Sequence, residues 1–228
     1  MQNINRETSP QYDNLGEKKD MFNTRYIVVD TETSPHRETS PMVTDIIEIG
    51  WTIIEESKLT SSYSSLIKPT LTIPSNVSDT IGITNYMVRD APTICKIIPD
   101  LIEEIDKSII VGHNLQYDLR IIKESIKRED PSNEKALSKL SSITFIDTMS
   151  LFSKLFPQRR RRVKDMIIEF GIQEATERHR AGADSYNTAS SFLKMLEILN
   201  NRYHIKDIRN LMHYSKTGNP YIQESLFS

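Results

Sequence analysis

A short apolar run, Tyr26-Ile27-Val28-Val29, ends in two carboxylates two positions apart, Asp30 and Glu32. The run has the length and the β-branched content of a buried central strand. Residues i and i+2 of a strand share a face, so both carboxylates point the same way. Side by side, two carboxylates resist ionising together, and a cation between them removes that penalty. Mg²⁺ suits such a pair, because it takes oxygen ligands and often one or two carboxylates plus substrate phosphate oxygens. Among 31 acidic residues an Asp-x-Glu pair also arises by chance and is usually solvated. The strand end gives this one weight, since α/β sheets collect their active sites there.

The rest of the chain supplies the partners of that strand. Ile46 to Ile54 predicts a second strand, and Tyr63 to Ile67 a third, stopped by Pro69. Their short connections predict an antiparallel meander. Ile94, Ile97, Ile98, Leu101, Ile102 and Ile105 follow helical spacing, with Pro99 expected to kink or restart the helix. Ser108 to Val111 predicts a strand ended by Gly112, and Leu115, Leu119, Ile122 and Ile126 a helix. A short strand at Ile143 to Ile146 precedes helices at Met149–Phe156 and Val163–Phe170, the latter capped by Gly171. The longest helix is predicted from Arg180 to Leu199. Three strands followed by alternating strands and helices imply an α/β fold, a mixed sheet with helices on its faces.

The 228 residues suit one domain with tails. The domain is placed at 25–200, after a polar, disordered tail over 1–24. A C-terminal extension over 201–228 holds one helix, Ile205 to Tyr214, before Gly218-Asn219-Pro220. A net charge of -2 excludes a generally basic surface, so nucleic acid would need a local patch. Cys95 is the single cysteine, which excludes an internal disulfide or a Cys-based zinc site. No apolar run approaches the roughly 20 residues of a membrane span, and the N-terminus lacks a signal peptide's apolar stretch. A cytoplasmic setting is expected.

Two further segments carry chemistry-bearing residues. Asp118 falls in the first turn of a helix after a strand, where it also favours the helix dipole, and Asn114 is that helix's natural N-cap. His179 and Asp184 lie at the start of the long helix. Arg178 and Arg180 flank His179 and favour its neutral form, which can accept a proton from water near pH 7. Asp184 can supply a carboxylate to a cation bound by Asp30 and Glu32.

In order and context, three segments resemble the motifs of the DEDDh (DnaQ-like) 3′→5′ exonucleases. Asp30-Thr31-Glu32-Thr33 resembles the first motif, His113-Asn114 with Asp118 the second, and His179-Arg180-Ala181 with Asp184 the third. Asp45 to Gly50 is similar to the family's second strand, Gly82-Ile83-Thr84 to its recognition loop, and Asp147-Thr148 to the segment after its fifth strand. The resemblance covers roughly residues 25–200. It implies an RNase H-like mixed five-stranded sheet and two Mg²⁺ or Mn²⁺ ions. Asp30, Glu32 and Asp184 would hold the first ion, and Asp30 and Asp118 the second. His179 would act as general base, with Thr31, Thr33, Ile83 and Asn114 near the substrate; simple core packing is the equal alternative for Ile83. Thr33-Ser34-Pro35-His36 departs from the family's usual Thr-Gly, and Ser185 from its usual Ala.

The implied activity is release of nucleoside 5′-monophosphates from DNA 3′ ends in proofreading or repair, similar to the epsilon subunit of a bacterial replicative polymerase. The alternatives are a small RNase or oligoribonuclease acting on RNA 3′ ends, and a non-catalytic polymerase and clamp adaptor. Arg159 to Arg162 form a run of four cations before a helix, a local candidate for phosphate contact. Gln223-Glu224-Ser225-Leu226-Phe227 resembles the bacterial sliding-clamp-binding pentapeptide, in which Gln223, Leu226 and Phe227 would engage the clamp.

Overall fold

The computed structural model describes residues 19–39, 42–175 and 179–219. Strands β1 (Tyr26–His36), β2 (Val43–Glu55) and β3 (Lys58–Leu66) form the expected antiparallel meander. Helices α1 (Ser75–Ile81), α2 (Asn85–Val88) and α3 (Ile94–Asp106) lead to β4 (Ile109–Gly112). Then come α4 (Leu115–Glu129), α5 (Glu134–Ser142), β5 (Phe145–Asp147), α6 (Thr148–Leu155), α7 (Val163–Phe170), α8 (Ala181–Tyr203) and α9 (Ile208–Thr217). The five-stranded sheet has the order β3-β2-β1-β4-β5, with β4 and β5 parallel to β1.

The alternation along β1 explains its place at the centre. Tyr26 and Val28 face one core, built with Phe152, Met166, Phe192 and Leu196 of α6 to α8. Ile27 and Val29 face the other, built with Leu101, Leu115, Leu119 and Ile122 of α3 and α4. Asp30 and Glu32 continue the Tyr26 and Val28 series, so they emerge on the α8 side, while Thr31 emerges on the α4 side.

Four features differ from the sequence-based expectation. Residues 19–24 are not a free tail. Met21 is fully buried, its N–H donates to the Lys206 carbonyl at 2.8 Å, and Tyr26 donates its hydroxyl to the Met21 carbonyl at 2.7 Å. Nor does the domain stop at residue 200, since α9 buries Ile208, Leu211, Met212 and Tyr214 in the α8-side core. Pro99 sits inside a continuous α3 and does not restart it, with Ile94, Ile97, Ile98, Leu101 and Ile105 buried on both sides of it. Finally, β1 runs on to His36 through a register shift between Glu32 and Thr33, so the Thr33-to-His36 departure extends the strand. Gln223, Leu226 and Phe227 lie outside the described residues. No helix among the described residues is long and apolar enough to cross a membrane.

Candidate active site

The sheet's centre and two helix starts bring the predicted acids together. Asp30 pairs with Gly50 on β2, and α8 begins directly above Gly50. A Cβ on Gly50 would lie 2.5 Å from the main chain of Ala181 and Gly182, so only glycine allows α8 this close. That approach carries Asp184, in the first turn of α8, over the carboxylates of β1. From the other side, Asp118 in the first turn of α4 accepts a hydrogen bond from the Thr31 hydroxyl at 2.5 Å.

The electrostatics express the crowding. Burial, and then the charges of Asp118, Asp184, Glu32 and Glu48, push the Asp30 carboxyl well above the ordinary carboxylate range. Burial, then Asp184, Glu48 and Asp118, push Glu32 up to about 8, with the Arg180 charge pulling the other way. Burial raises Asp118 to about 6 against the hydrogen bond from Thr31. Hard oxygen donors that hold protons for want of countercharge are a set that divalent cations fit. Ligand atoms of Glu32, His179 and Asp184 lie within 4.8 Å of one another. His179 is exposed and adopts a left-handed backbone, φ 57°, immediately before α8.

The second motif is braced from behind. Asn114 stands at the N-cap of α4 with φ 61° and makes no side-chain cap, so its expected capping role is not the one seen. Instead its N–H donates to Asp147 Oδ1 at 3.1 Å, and the same oxygen caps α6 by accepting from Met149 N–H at 2.8 Å. Asn tolerates the left-handed region better than most residues, which suits it to this corner. His113 Nδ1 lies 3.1 Å from Thr148 Oγ1, which donates to the Gly112 carbonyl at 3.0 Å. Thr33 Oγ1 lies 3.4 Å from the Tyr117 hydroxyl.

Ile83 does not reach the site's surface. It is fully buried with Ile47, Ile73 and Val88, which is the core-packing alternative. An apolar side chain in such a cluster offers no face to a terminal base.

Glu48 is the residue whose role here the sequence motifs do not reveal. Fully buried and paired with Glu32 across β1 and β2, it accepts hydrogen bonds from Arg180, the Ala181 N–H and the Ser64 hydroxyl. Its one signal in the sequence is an acid inside an apolar strand, where an unpaired charge would be very costly. Its oxygens are committed to Arg180 and the start of α8, so it acts as a bracket for the third motif. Ser185, the other departure, is buried and lies 3.0 Å from Thr52 Oγ1, with its hydroxyl donating to the Gly182 carbonyl at 2.9 Å.

The RNase_T exonuclease family model matches residues 27–192. The chain is 28% identical over 211 residues to the DNA polymerase III subunit epsilon of Aquifex aeolicus, covering 92% of this chain and 98% of that one. It is 30% identical over 184 residues to the PolC-type DNA polymerase III of Caldanaerobacter subterraneus subsp. tengcongensis, covering 81% of this chain but only 12% of that polymerase's length. Exonuclease X, solved in complex with 5′-overhanging duplex DNA, shares the fold with a TM-score of 0.56 at 22% identity, over 75% of this chain and 91% of that one. The chain belongs to the RNase_T exonuclease family, and its enzyme class is that of the exonucleases.

Proposed function

We propose that this protein is a metal-dependent exonuclease that removes nucleoside 5′-monophosphates from DNA 3′ ends, in proofreading or repair. One observation carries the reading: Asp30 and Glu32 are buried among Asp118, Asp184 and Glu48, whose charges add to burial in raising the proton affinity of both, with His179 beside Glu32 and Asp184. Mg²⁺ or Mn²⁺ fits this oxygen-rich set. Asp30, Glu32 and Asp184 would hold one ion, and Asp30 with Asp118 the second. When bound, a pair of divalent ions stabilises the attacking and leaving oxygens of an in-line displacement.

The chain's own residues do the rest. His179, exposed at the rim, takes the proton from the attacking water. The water oxygen bonds to phosphorus, the bond from phosphorus to the 3′ oxygen of the preceding nucleotide breaks, and that oxygen takes a proton from solvent and leaves as the new 3′-hydroxyl. Thr31 orients Asp118 through its hydroxyl. Thr33, beside Tyr117, and Asn114 line the approach of the terminal nucleotide.

DNA as substrate is supported by the epsilon-subunit and PolC-type relatives and by the DNA-bound fold neighbour. The same relatives support association with a replicative polymerase, and the Gln223, Leu226 and Phe227 tail supports a sliding clamp as a further partner. A cytoplasmic setting fits the single Cys95. The test is release of mononucleotides from 3′-hydroxyl single-stranded DNA, mismatched duplex and short RNA, compared side by side. Activity that needs Mg²⁺ or Mn²⁺ and is lost in Asp30→Ala is expected, with DNA cut better than RNA. Equal or better cutting of short RNA overturns the DNA assignment, and an inert wild type favours the adaptor.

A further inference from the structure

The loop between α6 and α7 carries Arg159 to Arg162, all four exposed. Its base is fixed: Phe156 packs against Phe152 at 5.0 Å and against Phe170 at 5.7 Å, and the Arg159 N–H donates to the Phe156 carbonyl at 3.0 Å. Cations at a helix start are disfavoured by the helix dipole, so each arginine needs a reason to be there. Two have one. Arg159 pairs with Glu169 at 2.9 Å, and Arg162 pairs with Asp165 at 2.8 Å as part of the α7 capping box. Arg160 has only a longer-range attraction to Asp165, and Arg161 has no ion pair among the described residues.

The loop also has a defined place. Its Arg161 main chain lies against the half-buried ring of His113, the residue before Asn114 at the end of β4. The ring's other contact is Thr148, the first residue of α6. Arg160 and Arg161 are therefore held on the side of the molecule where β4 ends and α4 presents Asp118. The surroundings of the site are acidic, and the whole chain carries a net charge of -2.

We propose that Arg160 and Arg161 hold the phosphates of the single strand upstream of its 3′ end. This rests on the exonuclease reading and adds the surface that keeps the strand in register. Arg159 and Arg162 serve the loop's own fold, so the contact is divided within the run.

The test uses the full chain and a short single-stranded deoxyoligonucleotide whose 3′-terminal linkage is a phosphorothioate, with binding read by fluorescence anisotropy across a salt series. Each phosphate contact on a single strand contributes about 0.7 to the slope of log affinity against log salt. Arg160→Ala/Arg161→Ala should flatten that slope by about 1.4 and weaken binding at low salt roughly tenfold. Arg159→Ala should keep the wild-type slope. An unchanged slope in the double variant, or an equal loss in Arg159→Ala, overturns the proposal. Lys substitutions at 160 and 161 should restore the slope, and failure to do so also counts against a charge contact. Hydrolysis of an unmodified strand by the wild type, read in parallel, reports on the exonuclease reading separately.

Discussion

Glu48 and Arg180 form an ion pair across the start of α8, with Arg180 Nη2 2.9 Å from Glu48 Oε1 and the Glu48 side chain almost entirely removed from solvent. Arg180 follows His179 directly, and Ala181, which also donates to Glu48, opens the helix that carries Asp184. One buried carboxylate thus sets the position of the third motif. Breaking one partner of a buried pair leaves the other uncompensated, at a cost of about 3 kcal/mol. Glu48→Gln should lower stability and reduce kcat about a hundredfold, the scale of a misplaced catalytic group, with KM little changed. In a double-mutant cycle, Glu48→Gln with Arg180→Gln should lose no more kcat than the worse single variant. Full additivity would mean that the two act independently.

The crowded carboxylates make stability depend on pH and metal together. Glu32 has an ordinary value of 4.5 and is raised to about 8 in the fold, chiefly by burial. The folded state therefore binds more protons than the unfolded state between those values, and stability falls as pH rises through that window. Asp30 shifts in the same direction. In EDTA the melting temperature should drop by several degrees from pH 5 to pH 8. Mg²⁺ should recover most of the loss at pH 8 and little at pH 5, because a ligand that binds only the folded state adds stability. A melting temperature unaffected by Mg²⁺ at pH 8 would contradict a cation site.

Gly50 is a point of contact rather than a flexible joint. Gly50→Ala would put a methyl group 2.5 Å from backbone atoms of Ala181 and Gly182, which cannot swing aside as a side chain can. Moving α8 away should cost about 1–3 kcal/mol and displace Asp184 from the acids of β1. Denaturant unfolding and mononucleotide release should both show the loss, with activity falling further than the fraction unfolded accounts for.

Ile83 separates a core role from a substrate role. Ile83→Ala should destabilise by about 2–5 kcal/mol in denaturant titration, while the folded fraction keeps its kcat/KM within about twofold. A stable variant with poor kcat/KM would restore contact with the terminal base.

The central strand, the meander, the α7 helix with Gly171 as its left-handed cap, and the ordered acids were legible in the sequence, because each rests on local periodicity or on a short motif. The short helices α1, α2 and α5 were not. The first two have few or no buried residues, and α5 is a nine-residue helix that buries only Ala136 and Leu140. Residues 19–24 read as a tail because their anchors, Met21 against Lys206 and Lys19 against Ile208, are main-chain contacts to residues nearly two hundred positions away. Polarity near a terminus says nothing about such pairing.

By itself the sequence determined that Asp30 and Glu32 share a strand face, that Asp118 and Asp184 open helices, and that His179 precedes the last of these. Only the tertiary structure decided that they meet. Their convergence depends on β4 lying parallel beside β1, on the missing side chain at Gly50, and on Glu48 turning inward to hold Arg180. Those are distances between residues far apart in the chain, set by how the sheet packs against its helices, and local patterns carry no record of them.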